Sequence, residues 1–174
     1  ELSSNNTEIL WEFTMPKDKK GYFVDVILGD FNKDGTNELI AVANQEGEND
    51  IFYIFSSNAS GQYAASPIVT GLQNLSTPIN NPLKLYLLEE NVNQQPMFLL
   101  TNGSPNRKVI MCEFLNNQII VRGTVGEKFL KNTIAPIDIS LGDFNGDREE
   151  DIFILDNGIT PAGYFIYSDG NEEE

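Results

Sequence analysis

Two nine-residue stretches hold the side chains best suited to chemistry in this 174-residue chain. One is Asp30-Phe31-Asn32-Lys33-Asp34-Gly35-Thr36-Asn37-Glu38, and the other is Asp143-Phe144-Asn145-Gly146-Asp147-Arg148-Glu149-Glu150-Asp151. Positions 1, 3, 5 and 9 are oxygen-bearing in both: Asp30, Asn32, Asp34 and Glu38, then Asp143, Asn145, Asp147 and Asp151. A hard cation such as Ca²⁺ takes about six to eight oxygens, and a tight loop with oxygens at alternate positions can wrap one. Asn, Asp and Gly also build plain turns unaided. Carboxylates crowded into so short a loop, however, repel one another unless a cation sits among them.

The elements that must position these loops are strands. Each loop follows an apolar run ending in Leu-Gly (Val24–Gly29, Ile137–Gly142) and precedes another (Leu39–Ala43, Ile152–Leu155). An EF-hand is excluded, because it requires flanking helices and an acidic residue at position 12 of the loop, where this chain has Ala41 and Ile154. β-Branched and aromatic flanks favour strands instead.

A third, weaker copy lies between the two. Lys84–Asn93 superposes on Asp25–Asp34 and puts Glu89, Asn91 and Asn93 at positions 1, 3 and 5, with Met97 at position 9. It reads as a loop that kept its shape and lost its metal. Loop starts at Asp30, Glu89 and Asp143 are 59 and 54 residues apart, a period that marks repeat architectures. The first unit reads as strands near Tyr22–Gly29, Glu38–Asn44, Asp50–Ser56 and Gln62–Thr70. The second reads as Leu83–Leu88, Pro96–Thr101, Arg107–Leu115 and Gln118–Val125. The third has Ile134–Gly142, Asp151–Asp156 and Ala162–Tyr167, with no fourth strand before Glu172-Glu173-Glu174. A spare strand, Glu8–Met15, is expected to complete that last unit, as closed propellers join their ends.

Strand-rich units of this length, with D-x-[DN]-x-D-G-x-x-[DE] between their first two strands, resemble the FG-GAP/VCBS repeat family. The resemblance covers roughly residues 8 to 170. It implies an all-β fold of β-propeller blades, at about 22–79, 80–133 and 134–174, in one domain over 1–174. By the same likeness, calcium in the first loop would be held by Asp30, Asn32, Asp34, the Thr36 carbonyl and Glu38. In the second it would be held by Asp143, Asn145, Asp147, the Glu149 carbonyl and Asp151. Arg148 departs from the pattern, standing where glycine is expected and where the backbone would be left-handed. Glu38 replaces the usual aspartate with a longer arm. Three blades are fewer than the roughly four to eight of a propeller, so the chain is either a piece of a longer propeller or half of a six-bladed homodimer.

Composition narrows the function. The net charge of −15 opposes binding to nucleic acid or anionic membranes. No apolar run is long enough to span a bilayer, and the polar start Glu1-Leu2-Ser3-Ser4 shows no signal-peptide core, as in a cytosolic or already processed chain. There is no histidine, and the single Cys112 sits in the apolar run Val109–Cys112, where a core role is expected. Nucleophilic triads and phosphate loops therefore lack parts. Trp11, Tyr22, Tyr63 and Tyr86 are candidates for a sugar or peptide site, although aromatics in strands are commonly core. Sequons at Asn5, Asn58, Asn74 and Asn102 are about twice what the abundance of Asn, Ser and Thr gives by chance, which does not decide for a glycosylated surface protein. The expectation is a non-catalytic, calcium-stabilised extracellular module for adhesion or scaffolding, with a protein or glycan ligand. The alternatives are the propeller of a secreted polysaccharide-processing enzyme or lectin, and an intracellular propeller with tighter calcium sites.

Overall fold

A computed structural model describes residues 11–74, 82–88, 96–102, 108–127, 130, 137–156, 162–168 and 172–173. These residues contain no helix and form three sheets, none of which closes on itself. The first sheet comprises β1 (Gly21–Gly29), β2 (Glu38–Gln45), β3 (Glu48–Ser56) and β4 (Ile68–Thr70), in that order. Next come β5 (Leu72–Gln73), β6 (Pro82–Leu87), β7 (Met97–Asn102), β8 (Val109–Leu115) and β9 (Gln118–Val125), arranged β5-β9-β8-β7-β6. The third sheet runs β10 (Ile137–Gly142), β11 (Asp151–Asp156), β12 (Ala162–Ile166) and β13 (Glu172–Glu173). Among the described residues, no helix is long and apolar enough to cross a membrane.

The repeat read from the sequence is visible in the strand registers. Leu28 pairs with Leu39, Leu87 with Phe98, and Leu141 with Ile152. These are the same two positions of each unit, at the offsets that align the loops. A one-residue slip would turn every side chain to the opposite face, so this agreement fixes which face each residue presents. Between β8 and β9, Asn116 and Asn117 both have positive φ, 51° and 63°, the backbone of a tight type I′ hairpin.

Because strand residues alternate between faces, each sheet has two apolar faces and the sheets stack through them. Ile40, Val42, Phe52 and Ile54 of the first sheet pack on Phe98, Leu100, Ile110 and Cys112 of the second. Cys112 is thus a buried thiol in this core. The other face of the second sheet, with Leu99 and Val109, packs on Ile137, Ile139, Ile154 and Tyr164 of the third. Strands β1, β6 and β10 line one side of the stack and are tied across it. Asp25 Oδ2 accepts the Leu85 N–H at 2.9 Å. Asp138 Oδ1 accepts from Lys84 Nζ at 2.9 Å and from the Tyr86 hydroxyl at 2.8 Å. Asp25, Lys84 and Asp138 occupy one repeat position.

The ends of the chain differ from expectation. Within the predicted strand Glu8–Met15, residues 8–10 lie outside the described residues and 11–15 form no strand. Trp11, Phe13 and Met15 pack instead on the outer face of the first sheet, against Ala41, Tyr53 and Phe55. The short link to β1 keeps them beside that sheet. The fourth place in the last sheet is taken by Glu172–Glu173, which pairs with Phe165 and Ile166 through backbone bonds that need no particular side chain. Leu72–Gln73 adds an unexpected parallel strand beside β9. The predicted strand over Gln62–Thr70 is reduced to a Ser57–Tyr63 bridge and β4.

Candidate metal loops

Both acidic loops span the turn between the first two strands of a sheet, opening after Gly29 or Gly142 and closing at Glu38 or Asp151, residues that face each other across the ladder. Their internal bonding matches almost atom for atom. The position-1 carboxylate caps the loop: Asp30 accepts from the N–H of Asp34 (3.0 Å) and Gly35 (2.9 Å), and Asp143 from Gly146 and Arg148 (2.6 and 2.9 Å). Position 3 forms an Asx turn, with Asn32 Oδ1 accepting from Asp34 N and Asn145 Oδ1 from Asp147 N (2.8 and 2.9 Å). Position 5 forms the next turn, Asp34 accepting from Thr36 N and Asp147 from Glu149 N, both at 2.8 Å. The position-9 carboxylate accepts the N–H groups of positions 2 and 3. Glu38 Oε2 lies 3.0 and 3.3 Å from Phe31 N and Asn32 N, and Asp151 Oδ2 lies 2.9 and 3.3 Å from Phe144 N and Asn145 N.

Backbone geometry explains the glycines. Positions 4 and 6 are left-handed in both loops: Lys33 (φ 59°) and Gly35 (86°), then Gly146 (87°) and Arg148 (74°). Each loop has glycine at one of these positions and a basic residue at the other. The expectation that Arg148 occupies a left-handed position therefore holds. The matching demand at position 4 had no clear signal, because the two loops place their glycines differently.

Thr36 Oγ1 also donates to Asp34 Oδ1, at 2.6 Å, and its hydroxyl and N–H hold the Asp34 carboxyl below its ordinary value, with help from Asn32. Asp147 is held low in the same direction, first by the Glu149 N–H and then by Asn145. Glu38 behaves oppositely. It is fully buried, and burial first, then the charges of Asp34 and Asp30, push its carboxyl above the ordinary value. The amide Nδ2 of Asn32 lies 3.0 Å from Asp34 Oδ2 and 3.1 Å from Glu38 Oε1, so a neutral donor faces two carboxylates. In the second loop Asn145 Nδ2 contacts Asp147 Oδ2 at 2.9 Å, and the shorter Asp151 takes its other bond from Ser168 N, also at 2.9 Å.

Ser168 also donates its hydroxyl to Asp147 Oδ2 at 3.3 Å, tying the loop to the end of β12. Sequence reading did not find it. Its signal was the matching place of Ser57 in the first repeat, whose N–H goes instead to the Asn37 carbonyl.

Among the described residues, no group of three or more His, Cys, Asp or Glu side chains is gathered as a metal cluster. The carboxylates are turned onto the loops' own N–H groups. The donor chemistry nevertheless suits a hard cation: every candidate ligand is an oxygen, and the fully buried Glu38 carboxylate is met by dipoles rather than by a positive charge. The weak middle loop, Glu89 to Asn93, lies outside the described residues.

The other candidates divide. Trp11 and Tyr63 pack with Phe55, Tyr86 is tied to Asp138, and Tyr22 is exposed. Asn102 is buried and accepts the Lys108 N–H, which removes it as a glycan acceptor in the folded chain. Asn58 folds onto Ser60 and Gln62. Comparison with models of known protein families gives no match, and comparisons with curated proteins and with solved structures give none either.

Proposed function

We propose that the chain is a non-catalytic β-repeat module whose two acidic loops bind Ca²⁺, and that its three sheets are propeller blades of the FG-GAP/VCBS kind. One observation carries the reading: two loops 113 residues apart share the same oxygen positions and most of their hydrogen bonds, each at the same turn of a sheet. A plain turn does not need a buried glutamate facing two further aspartates. A divalent cation would offset those charges. Asp30, Asn32, Asp34, Glu38 and the Thr36 carbonyl would hold it in the first loop, and Asp143, Asn145, Asp147, Asp151 and the Glu149 carbonyl in the second. Its role is structural, clamping the first two strands of a sheet. An extracellular setting goes with this reading, because calcium in the millimolar range there fills even weak sites. Its partner there is a protein or a glycan.

Thermal unfolding in calcium and in chelator tests the reading. A ligand at about 100 times its Kd stabilises the folded state by about 2.7 kcal/mol. With both loops filled the two contributions add, which for a chain of this size raises Tm by roughly 10–20 °C. Loss of the rise in an Asp30→Ala, Asp143→Ala double variant supports calcium binding at these loops. Equal Tm in calcium and chelator for the parent chain rejects it.

A further inference from the structure

Phe31 and Phe144 occupy the same position, the second residue of each loop. Phe31 is 0 % exposed because it wedges between the first and second sheets, 5.9 Å from the Phe98 ring. Phe144 is 44 % exposed. It lies on the outer face of the third sheet beside Phe165 (5.5 Å) and Phe153 (6.4 Å), which face each other across β11 and β12. In the repeat, Phe153 corresponds to Ile40 and Leu99, and both of those are buried under the next sheet. The third sheet therefore presents the face that its two predecessors cover, with its phenylalanine wedge already in place.

At the other end of the stack, Trp11, Phe13 and Met15 cover part of the corresponding face and leave its β1 edge exposed at Val26 and Leu28. Phe98, which receives Phe31, corresponds to Leu39 in the first sheet. Leu39 lines an open apolar pocket of about 400 Å³ with Phe13, Phe23, Val26, Ala41 and Phe55. Val26 on its rim is 51 % exposed. The chain thus carries both halves of one contact on opposite ends of the stack, and cannot join them to each other.

We propose that a second copy of this chain covers both faces, with Phe144 of each copy entering the Leu39 pocket of the other. Giving one face and taking the other twice closes a two-fold pair with six sheets and leaves no end open. The contact repeats between copies the Phe31 wedge made within the chain, at the β1 edge of a face whose remainder is held by Trp11, Phe13 and Met15. It rests on that wedge and not on the calcium reading, so it stands or falls separately. The copies carry −15 each, so repulsion opposes pairing and salt screening favours it.

Sedimentation velocity of the full chain, from about 1 to 100 µM in about 0.15 M and 0.5 M salt, tests this. The expected species has twice the 19.4 kDa chain mass and tightens with salt. Aromatic anchors at interface centres give losses of about thirtyfold or more in affinity. Phe144→Ser and, independently, Val26→Asp should each weaken the pair by that factor while leaving the far-ultraviolet dichroism unchanged, since both side chains are substantially exposed in the single chain. A monomer at every concentration and salt overturns the proposal. So does an open series that grows with concentration, or a dimer that both variants leave intact.

Discussion

Replacing Glu38 by alanine separates the two roles given to that carboxylate. Without metal, Glu38 is the acceptor for the N–H groups of Phe31 and Asn32. Phe31 is fully buried, so its N–H cannot turn to water, whereas Asn32 is exposed and can. One orphaned buried donor costs about 1–3 kcal/mol, and relief from burying a charge offsets part of the small cavity left behind. Glu38→Ala in chelator is therefore expected to lose about 1–3 kcal/mol. In calcium at about 100 times Kd, the parent chain gains about 2.7 kcal/mol from a site that the variant lacks, so the gap widens to about 4–6 kcal/mol. Urea unfolding read by Trp11, which sits 4.9 Å from Phe55 on the same sheet, reports both values. Glu46→Ala is the control: that glutamate is exposed and paired with Lys20 at 3.5 Å, and its loss should stay within about 0.5 kcal/mol. A Glu38→Ala loss below about 0.5 kcal/mol in chelator refutes the buried-acceptor argument. An equal loss in calcium and chelator refutes the metal linkage.

Three further outcomes follow from particular contacts. Arg148→Gly relieves a left-handed backbone at φ 74° and should stabilise by roughly 0.5–1 kcal/mol in chemical denaturation; a destabilised variant would show that the arginine side chain outweighs its backbone cost. A β-carbon at Gly163 would lie 2.7 Å from two ring atoms of Phe153, so Gly163→Ala should lose about 1–3 kcal/mol, and an unchanged midpoint would contradict the position of that ring. Asp138 is held below its ordinary value, first by Lys84 and then by Tyr86, while burial and Asp138 raise Tyr86. A lowered carboxyl adds stability that is present above its unfolded value near 3.9 and disappears as pH falls through the folded one. A raised tyrosine adds stability that is present below about pH 10 and is lost as pH climbs through the folded value. Because Asp138 and its Lys84 partner are about half exposed, Asp138→Ala should cost only about 0.2–1 kcal/mol at neutral pH. The difference from the parent should close at both extremes, and a gap constant from acid to alkali would count against this coupling.

What the sequence reveals and what it hides follow from different physics. Alternating apolar runs around each loop specify register, because one face must be buried. Thus Gln118–Val125 and Asp151–Asp156 were legible to the residue, and the equivalence of Leu28, Leu87 and Leu141 was legible from the loop spacing. Strands held by backbone bonds alone were not. Glu172–Glu173 has poor β propensity, and the two residues Leu72–Gln73 are too few to show a period. Trp11, Phe13 and Met15 alternate as a strand does, yet the same spacing lets an irregular segment lay one side on an apolar face, as it does here. In the loops, the ligand-type residues could be named from spacing. The contrast between raised Glu38 and lowered Asp34 could not, because it depends on burial and on which N–H groups each oxygen meets.

Calorimetric titration of the chelator-treated chain with calcium addresses the proposed function most directly, through its stoichiometry. Two sites per chain are expected, with Asp30→Ala and Asp143→Ala each removing one. Absence of binding heat, together with unfolding unaffected by calcium, would contradict it and leave the two loops as self-capped acidic turns.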